Sequence, residues 1–280
     1  MAIGFLHPGA MGASIAALCR GERLWCGDGR SDATRTRADE AGMDDVGSLD
    51  ALVERADTIV AVCPPASAVA VADEVASRGF DGIYVDVNAI SPTTSRAIGG
   101  RFTQFVDGGI VGPPAESADS TRLYLSGKCA PAVAALWSGT FLETRLVDGG
   151  AGAASAVKMC YAGWTKGSAA LLLAIRALAV AEGVDATMLT EWATSIPGLA
   201  AQAERAASGS APKAWRFAGE LDEIADSFAA HGLPEGFGRA ASEVYERLAK
   251  FKDSPGATLD AVIDALIHPG LSDRLPTRPA

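Results

Sequence analysis

The chain has 280 residues, with 24 basic against 34 acidic side chains and a formal net charge of −10. A net-acidic chain has no bulk attraction for phosphates, which excludes non-specific binding of nucleic acid. At 49% hydrophobic and 21% charged it has the balance of a folding chain, and its length is near the point where one core divides into two.

Short β-rich runs alternate with helical patterns through the first half. Strands are predicted at residues 3–6, 23–26, 58–62, 83–87, 104–108 and 123–126, and helices at 11–20, 33–41, 49–56, 67–76 and 93–99. Strand–helix alternation predicts a parallel sheet with helices on both faces, and right-handed crossovers make it doubly wound. Residues 1–147 are therefore read as a Rossmann-type α/β domain. After Asp148-Gly149-Gly150 the apolar residues recur at three and four, as in Leu189 with Trp192 and Phe217 with Leu221. That spacing predicts an all-helical domain over residues 148–270, opened by one long helix at 151–182. This second domain is expected to bind substrate and to dimerise. The tail, 271–280, is rich in Pro and Arg and is expected to fray.

The five cysteines, at 19, 26, 63, 129 and 160, are scattered and contain no CxxC pair. This predicts unpaired thiols in a reducing compartment. The three histidines lie far apart in sequence, so no metal site is expected. No uninterrupted apolar run reaches the ~18 residues of a membrane span. The best candidate, 167–180, holds Arg176 and reads as a buried helix. The apolar start at residues 2–6 is too short for a signal peptide, and a cytoplasmic protein with no membrane partner is expected.

The first chemical signal is the run Leu6-His7-Pro8-Gly9-Ala10-Met11-Gly12. It carries an apolar strand straight into a tight turn and a helix, which is the context of a dinucleotide fingerprint. Gly9 lets phosphates approach the backbone, Gly12 lets the helix pack on the strand, and the first free N–H groups of the helix face the pyrophosphate. His7 stands where the fingerprint has its first glycine. It is either a contact to the cofactor or a turn residue pinned by Pro8, and both readings stay open here. After the second predicted strand the chain reads Asp28-Gly29-Arg30-Ser31. An acidic side chain there would take a ribose 2′-OH and an arginine a 2′-phosphate.

The Gly9-Ala10-Met11-Gly12 element resembles that of the β-hydroxyacid dehydrogenases related to 6-phosphogluconate dehydrogenase. Four further segments match in order. Val62-Cys63-Pro64-Pro65 resembles the loop on the nicotinamide ribose side. Val85-Asp86-Val87-Asn88, running on to Ser91-Pro92, resembles the family's Asp-x-Ser-Thr-x-x-Pro segment. Asp107-Gly108-Gly109-Ile110-Val111-Gly112 resembles its substrate loop. Gly150-Ala151-Gly152, followed by Lys158, resembles the opening of its interdomain helix. The resemblance spans residues 2–270 and implies a Rossmann-type domain, a nicotinamide cofactor, and cofactor contacts from His7, Pro8, Gly9, Ala10, Met11, Gly12, Arg30, Ser31, Cys63, Pro64 and Asn88. The family's NADP-type pattern Asn-Arg-Ser/Thr falls on Gly29-Arg30-Ser31, with Arg35 available as a second cation, so NADP is favoured and NAD remains possible.

The resemblance also implies that Lys158 is the general acid/base and points into the cleft between the domains. Small apolar neighbours desolvate it, which disfavours an ammonium. By itself, a lysine at a helix start is more often a solvated charge. Tyr161, three residues on, shares its helix face and is read as a second catalytic hydroxyl. Lys166 reads as a surface or cofactor-edge charge. The family's substrate-loop Ser falls on Val111, beside Gly112, and its Asn falls on Ala162. Those losses of polar contact predict a bulkier or less polar substrate than a small 3-hydroxy acid. The expected function is an NADP-dependent oxidoreductase working on a hydroxyl or carbonyl, as a homodimer. The alternatives are an imine (C=N) reductase on the same scaffold and a non-catalytic dinucleotide sensor.

Overall fold

A computed structural model of the chain describes residues 1–252, 254 and 256–269; the expected tail, 271–280, lies outside the described residues. Among these residues one sheet forms, in the order β3-β2-β1-β4-β5-β6-β7-β8. The strands are β1 Ala2–Leu6, β2 Glu22–Trp25, β3 Asp44–Asp45, β4 Thr58–Ala61, β5 Ile83–Asp86, β6 Gln104–Val111, β7 Arg122–Ser126 and β8 Glu143–Leu146. The crossover helices are α1 Ala10–Leu18, α2 Asp32–Glu40, α3 Leu49–Arg55, α4 Pro65–Ala76 and α5 Pro92–Gly99, with a short α6 at Ala130–Ala134. Ile3, Ile59, Val60, Val85 and Val106 are wholly buried, as expected for parallel strands covered on both faces.

The reversal of chain order between β3-β2-β1 and β4-β5-β6 gives the doubly wound arrangement, with its ligand crevice at the carboxyl ends of β1 and β4. One expectation needs correcting. β7 runs antiparallel to β6, with Asp107 opposite Ser126 and Val111 opposite Arg122. Residues 112–121 contain no helix, and a helix-free link of that length cannot make a parallel crossover. β3 and β8 were not predicted. Asp44–Asp45 and Glu143–Leu146 are polar and mostly exposed, so neither carries a hydrophobic pattern.

A 29-residue helix, α7 Ala153–Ala181, follows the sheet. Then come α8 Asp185–Ser195, α9 Leu199–Ser210, α10 Ala214–Ala229, α11 Gly236–Arg247 and α12 Leu259–Ile267. The chain forms two compact units that divide at Tyr161 and Ala162, inside α7. The first turns of α7, Lys158 included, thus belong with the sheet, whereas the sequence reading put the boundary at 147/148. In the second unit Phe217 packs edge-on against Tyr245, with ring centroids 5.4 Å apart. Arg176, 6% exposed, makes a two-point pair with Asp185 at 2.9 and 3.0 Å.

Averaged over an 18-residue window, α7 is apolar enough to cross a bilayer by length and composition. The same helix carries Lys158, Lys166 and Arg176, and its arginine is held by a carboxylate of the helical unit. Charged side chains on an apolar helix that are paired within the protein are a trait of a helix packed in a fold.

Candidate active site

The turn after β1 is built by backbone conformation. His7 has φ +58, a left-handed value for a residue with a Cβ, and the Gly9 amide donates to the His7 carbonyl at 2.6 Å. Gly9 caps α1 in an extended conformation with no side-chain cap. The first intrahelical bond runs from the Ala13 amide to the Gly9 carbonyl, so the N–H groups of Ala10, Met11 and Gly12 point out of the helix start. A Cβ at Gly9 would meet only the His7 carbonyl, at 4.0 Å. A Cβ at Gly12 would lie 3.4 Å from that carbonyl and 3.5 Å from Val62 Cβ, which is close helix–strand packing. Pro8 is buried and Ala10 exposed.

Arg30 lies close enough to act electrostatically on His7, Cys26 and Cys63, which follow β1, β2 and β4. Burial first, and the Arg30 charge second, push the His7 imidazole down to about 4. Ser31 caps α2, and its hydroxyl sits 3.1 Å from that of Thr34. Arg35 is engaged with Asp45 at 3.3 Å and with the Gly27 carbonyl. Asp45 also accepts the amides of Gly27 and Gly47 at 2.9 and 2.8 Å. The sequence reading missed this carboxylate, because an aspartate on a two-residue strand gives no pattern.

The ends of β4 and β5 are tied by a polar chain. Cys63 N–H donates to Asn88 Oδ1 at 2.6 Å, and Asn88 donates to Asp86 from its backbone at 2.9 Å and its side chain at 3.0 Å. Cys63 and Asn88 therefore meet, with exposed Pro64 next in the chain. Burial, then the neighbouring Asp86 charge, pushes the Cys63 thiol up to about 12.

Lys158 reaches the sheet through β6. A Cβ at Gly109 would come within 2.9 Å of both the Ala154 carbonyl and Lys158 Cβ. Only a glycine there lets the first turns of α7 lie this close to the strand. Asp107, on the same face two residues earlier, accepts Ser155 N–H at 3.0 Å and Ser155 Oγ at 2.5 Å. Ser95 and Ser126 hydroxyls donate to the same carboxylate at 2.8 and 3.1 Å. Asp107 was read only as part of a motif; its donors come from distant segments, which no spacing rule brings together.

A model for a domain of unknown function, DUF1932, matches residues 179–248. Over 184 residues the chain is 30% identical to an uncharacterized 28.5 kDa protein of Methanothermus fervidus, covering 64% of this chain and 71% of that one. A solved conserved protein, described as structurally similar to 3-hydroxyacid dehydrogenases, is 26% identical. It superposes with a TM-score of 0.67 over 89% of this chain and 97% of its own. The chain belongs to the same family as the Methanothermus fervidus protein, and its fold is 3-hydroxyacid dehydrogenase-like. Mycobacterium tuberculosis 3-hydroxyisobutyrate dehydrogenase, solved with L-serine, shares the fold at 20% identity and a TM-score of 0.68, over 95% and 98% of the two chains.

Against this family pattern, the remaining site residues fall as follows. Val111 ends β6 and is 2% exposed, and Gly112 follows it with φ +125 in the open. A Cβ at Gly112 would strike the Ser120 carbonyl, so this bend requires glycine. Tyr161 is 47% exposed and Ala162, in the second unit, 1%. Lys166 is no surface charge. It pairs with Glu220 inside the helical unit, lies 4.2 Å from the Phe217 ring centroid, and accepts Tyr245 O–H on its carbonyl at 3.0 Å.

Proposed function

We propose that this chain is an NADP-dependent oxidoreductase that moves a hydride between a nicotinamide and a hydroxyl or carbonyl substrate, with Lys158 as general acid/base. The observation that carries the reading is the seat of Lys158 on Gly109 of β6, two residues before Val111 and three before Gly112, where the family has its substrate loop. The outward N–H groups of Ala10, Met11 and Gly12 and the space before Gly9 suit a pyrophosphate. Arg30 and Ser31 would take the 2′-phosphate, His7 and Pro8 would line the turn, and Cys63, Pro64 and Asn88 would flank the nicotinamide side. When bound, the cofactor supplies or accepts the hydride. Lys158 gives a proton to the carbonyl oxygen in reduction and takes it back in oxidation, and Tyr161 offers a second hydroxyl.

Val111 and Ala162 replace polar family residues with side chains that cannot hydrogen-bond. This supports a substrate less polar than a small hydroxy acid. Trp164, Leu171 and Leu178 are exposed on α7, and α8 buries no residue. That apolar surface supports a homodimer, and the five free cysteines fit a reducing cytoplasm.

The test is NADPH oxidation against a panel of aldehydes, keto acids and cyclic imines. Lys158→Met should lose ~10² to 10⁴ in turnover with NADPH affinity nearly intact. Full activity would sink the mechanism and favour C=N reduction or the dinucleotide sensor. Arg30→Ala should weaken NADPH by about 1.5–3 kcal/mol and NADH far less; equal losses would remove Arg30 from the 2′-phosphate. Gly9→Val should weaken both forms by about tenfold or more. Unchanged affinity in the folded variant would remove the pyrophosphate assignment.

A further inference from the structure

Asp107 is fully buried. Burying a carboxylate costs several kcal/mol unless its surroundings offset it. Here the offset comes from four donors, the hydroxyls of Ser95, Ser126 and Ser155 and the Ser155 amide. That amide belongs to the first turn of α7, where N–H groups lack intrahelical partners and the helix dipole favours a negative charge. Ser126 Oγ is also within reach of the Ala154 amide, at 3.1 Å, and of the Gly150 carbonyl, at 3.0 Å. The residues leading into α7 and its first turn are thus held by one polar cluster.

The register of this attachment matters. Asp107 and Gly109 face the same side of β6, and Ser155 and Lys158 are three apart on one face of α7. Ser155 sits on Asp107, and Lys158 Cβ sits against Gly109. A one-residue slip of the helix would swing Lys158 by about 100°.

We propose that Asp107 is a positioning residue for Lys158: its carboxylate clamps the first turn of α7 to β6 and so fixes where the lysine side chain leaves the helix. The proposal rests on the oxidoreductase reading only for what Lys158 then does.

The experiment uses the full chain labelled with pyridoxal 5′-phosphate and borohydride. Peptide mass spectrometry compares Lys158 with exposed Lys128 as internal standard. In Asp107→Asn, which cannot accept all four donors, the Lys158/Lys128 labelling ratio should rise at least about threefold as the first turn opens locally. Amide exchange at Ser155 should quicken with it. Ser155→Ala should give a smaller rise, and Ser155→Thr, which restores a hydroxyl, should return the ratio toward that of the native chain. An unchanged ratio in folded Asp107→Asn overturns the proposal. If that variant does not fold, an unchanged ratio in Ser155→Ala overturns it. With a substrate from the panel, the loss in Asp107→Asn should fall on kcat and leave KM for NADPH unchanged. A shifted ratio with intact turnover in Lys158→Met overturns the acid/base role of Lys158 and leaves the clamp standing.

Discussion

Asp86 and Asp107 are register partners on β5 and β6. Both are buried. Their surroundings differ. Asp107 collects donors from α5, β7 and α7, while Asp86 has only the two that Asn88 offers. Burial pushes the Asp86 carboxyl up to about 7; the Asn88 bonds oppose this, and the Asp107 charge adds to it. The pair shows that depth alone does not decide what a buried carboxyl does. Donor number, and the elements that supply them, decide whether it ties distant elements together or bonds only within its own loop.

The largest expected effect that tests this contrast is at Asp107. Asp107→Ala leaves three hydroxyls and a helix amide without their acceptor, and should cost about 3 kcal/mol in urea unfolding. A cost under ~1 kcal/mol would mean that the hydroxyls find other partners and that the two aspartates are alike.

A smaller effect is expected at Asp86, read as pH dependence. Its folded pKa lies above the unfolded 3.8, so its contribution is present below that value and is lost as pH rises through about 7. His7 acts the other way. Its folded value is depressed from 6.5 to about 4, so its contribution is present above 6.5 and is lost as pH falls through about 4. Subtracting the Asp86→Asn stability curve from that of the native chain isolates the first slope, which cannot exceed about 1.4 kcal/mol per pH unit. A flat difference between pH 4 and 7 would show that Asp86 is ionised in the fold after all.

The smallest effect concerns backbone rather than charge. His7→Gly removes a Cβ from a left-handed position and should gain about 1 kcal/mol in stability while abolishing the opposing slope below pH 6.5. A loss of stability would mean that the packing of the imidazole outweighs the strain.

Periodicity alone placed most of the sheet and the long helix, because buried strands and amphipathic helices write their burial into the order of residues. α7 runs from Ala153 to Ala181 where a helix was expected over 151–182, and the turn at Gly9 and the lysine at 158 were marked by local context. Other features had no local signal. β3 and β8 are short polar strands, and the direction of β7 depends on a missing crossover helix. The clamp at Asp107 joins residues 12, 19 and 48 positions away. Arg35 is taken up by Asp45, ten positions on, and Lys166 by Glu220, 54 positions on. Sequence order states which residues prefer the interior and which turns need glycine. Which polar groups satisfy one another inside was decided only when the chain packed, because a buried donor or acceptor takes its partner from whatever segment the fold brings within about 3 Å.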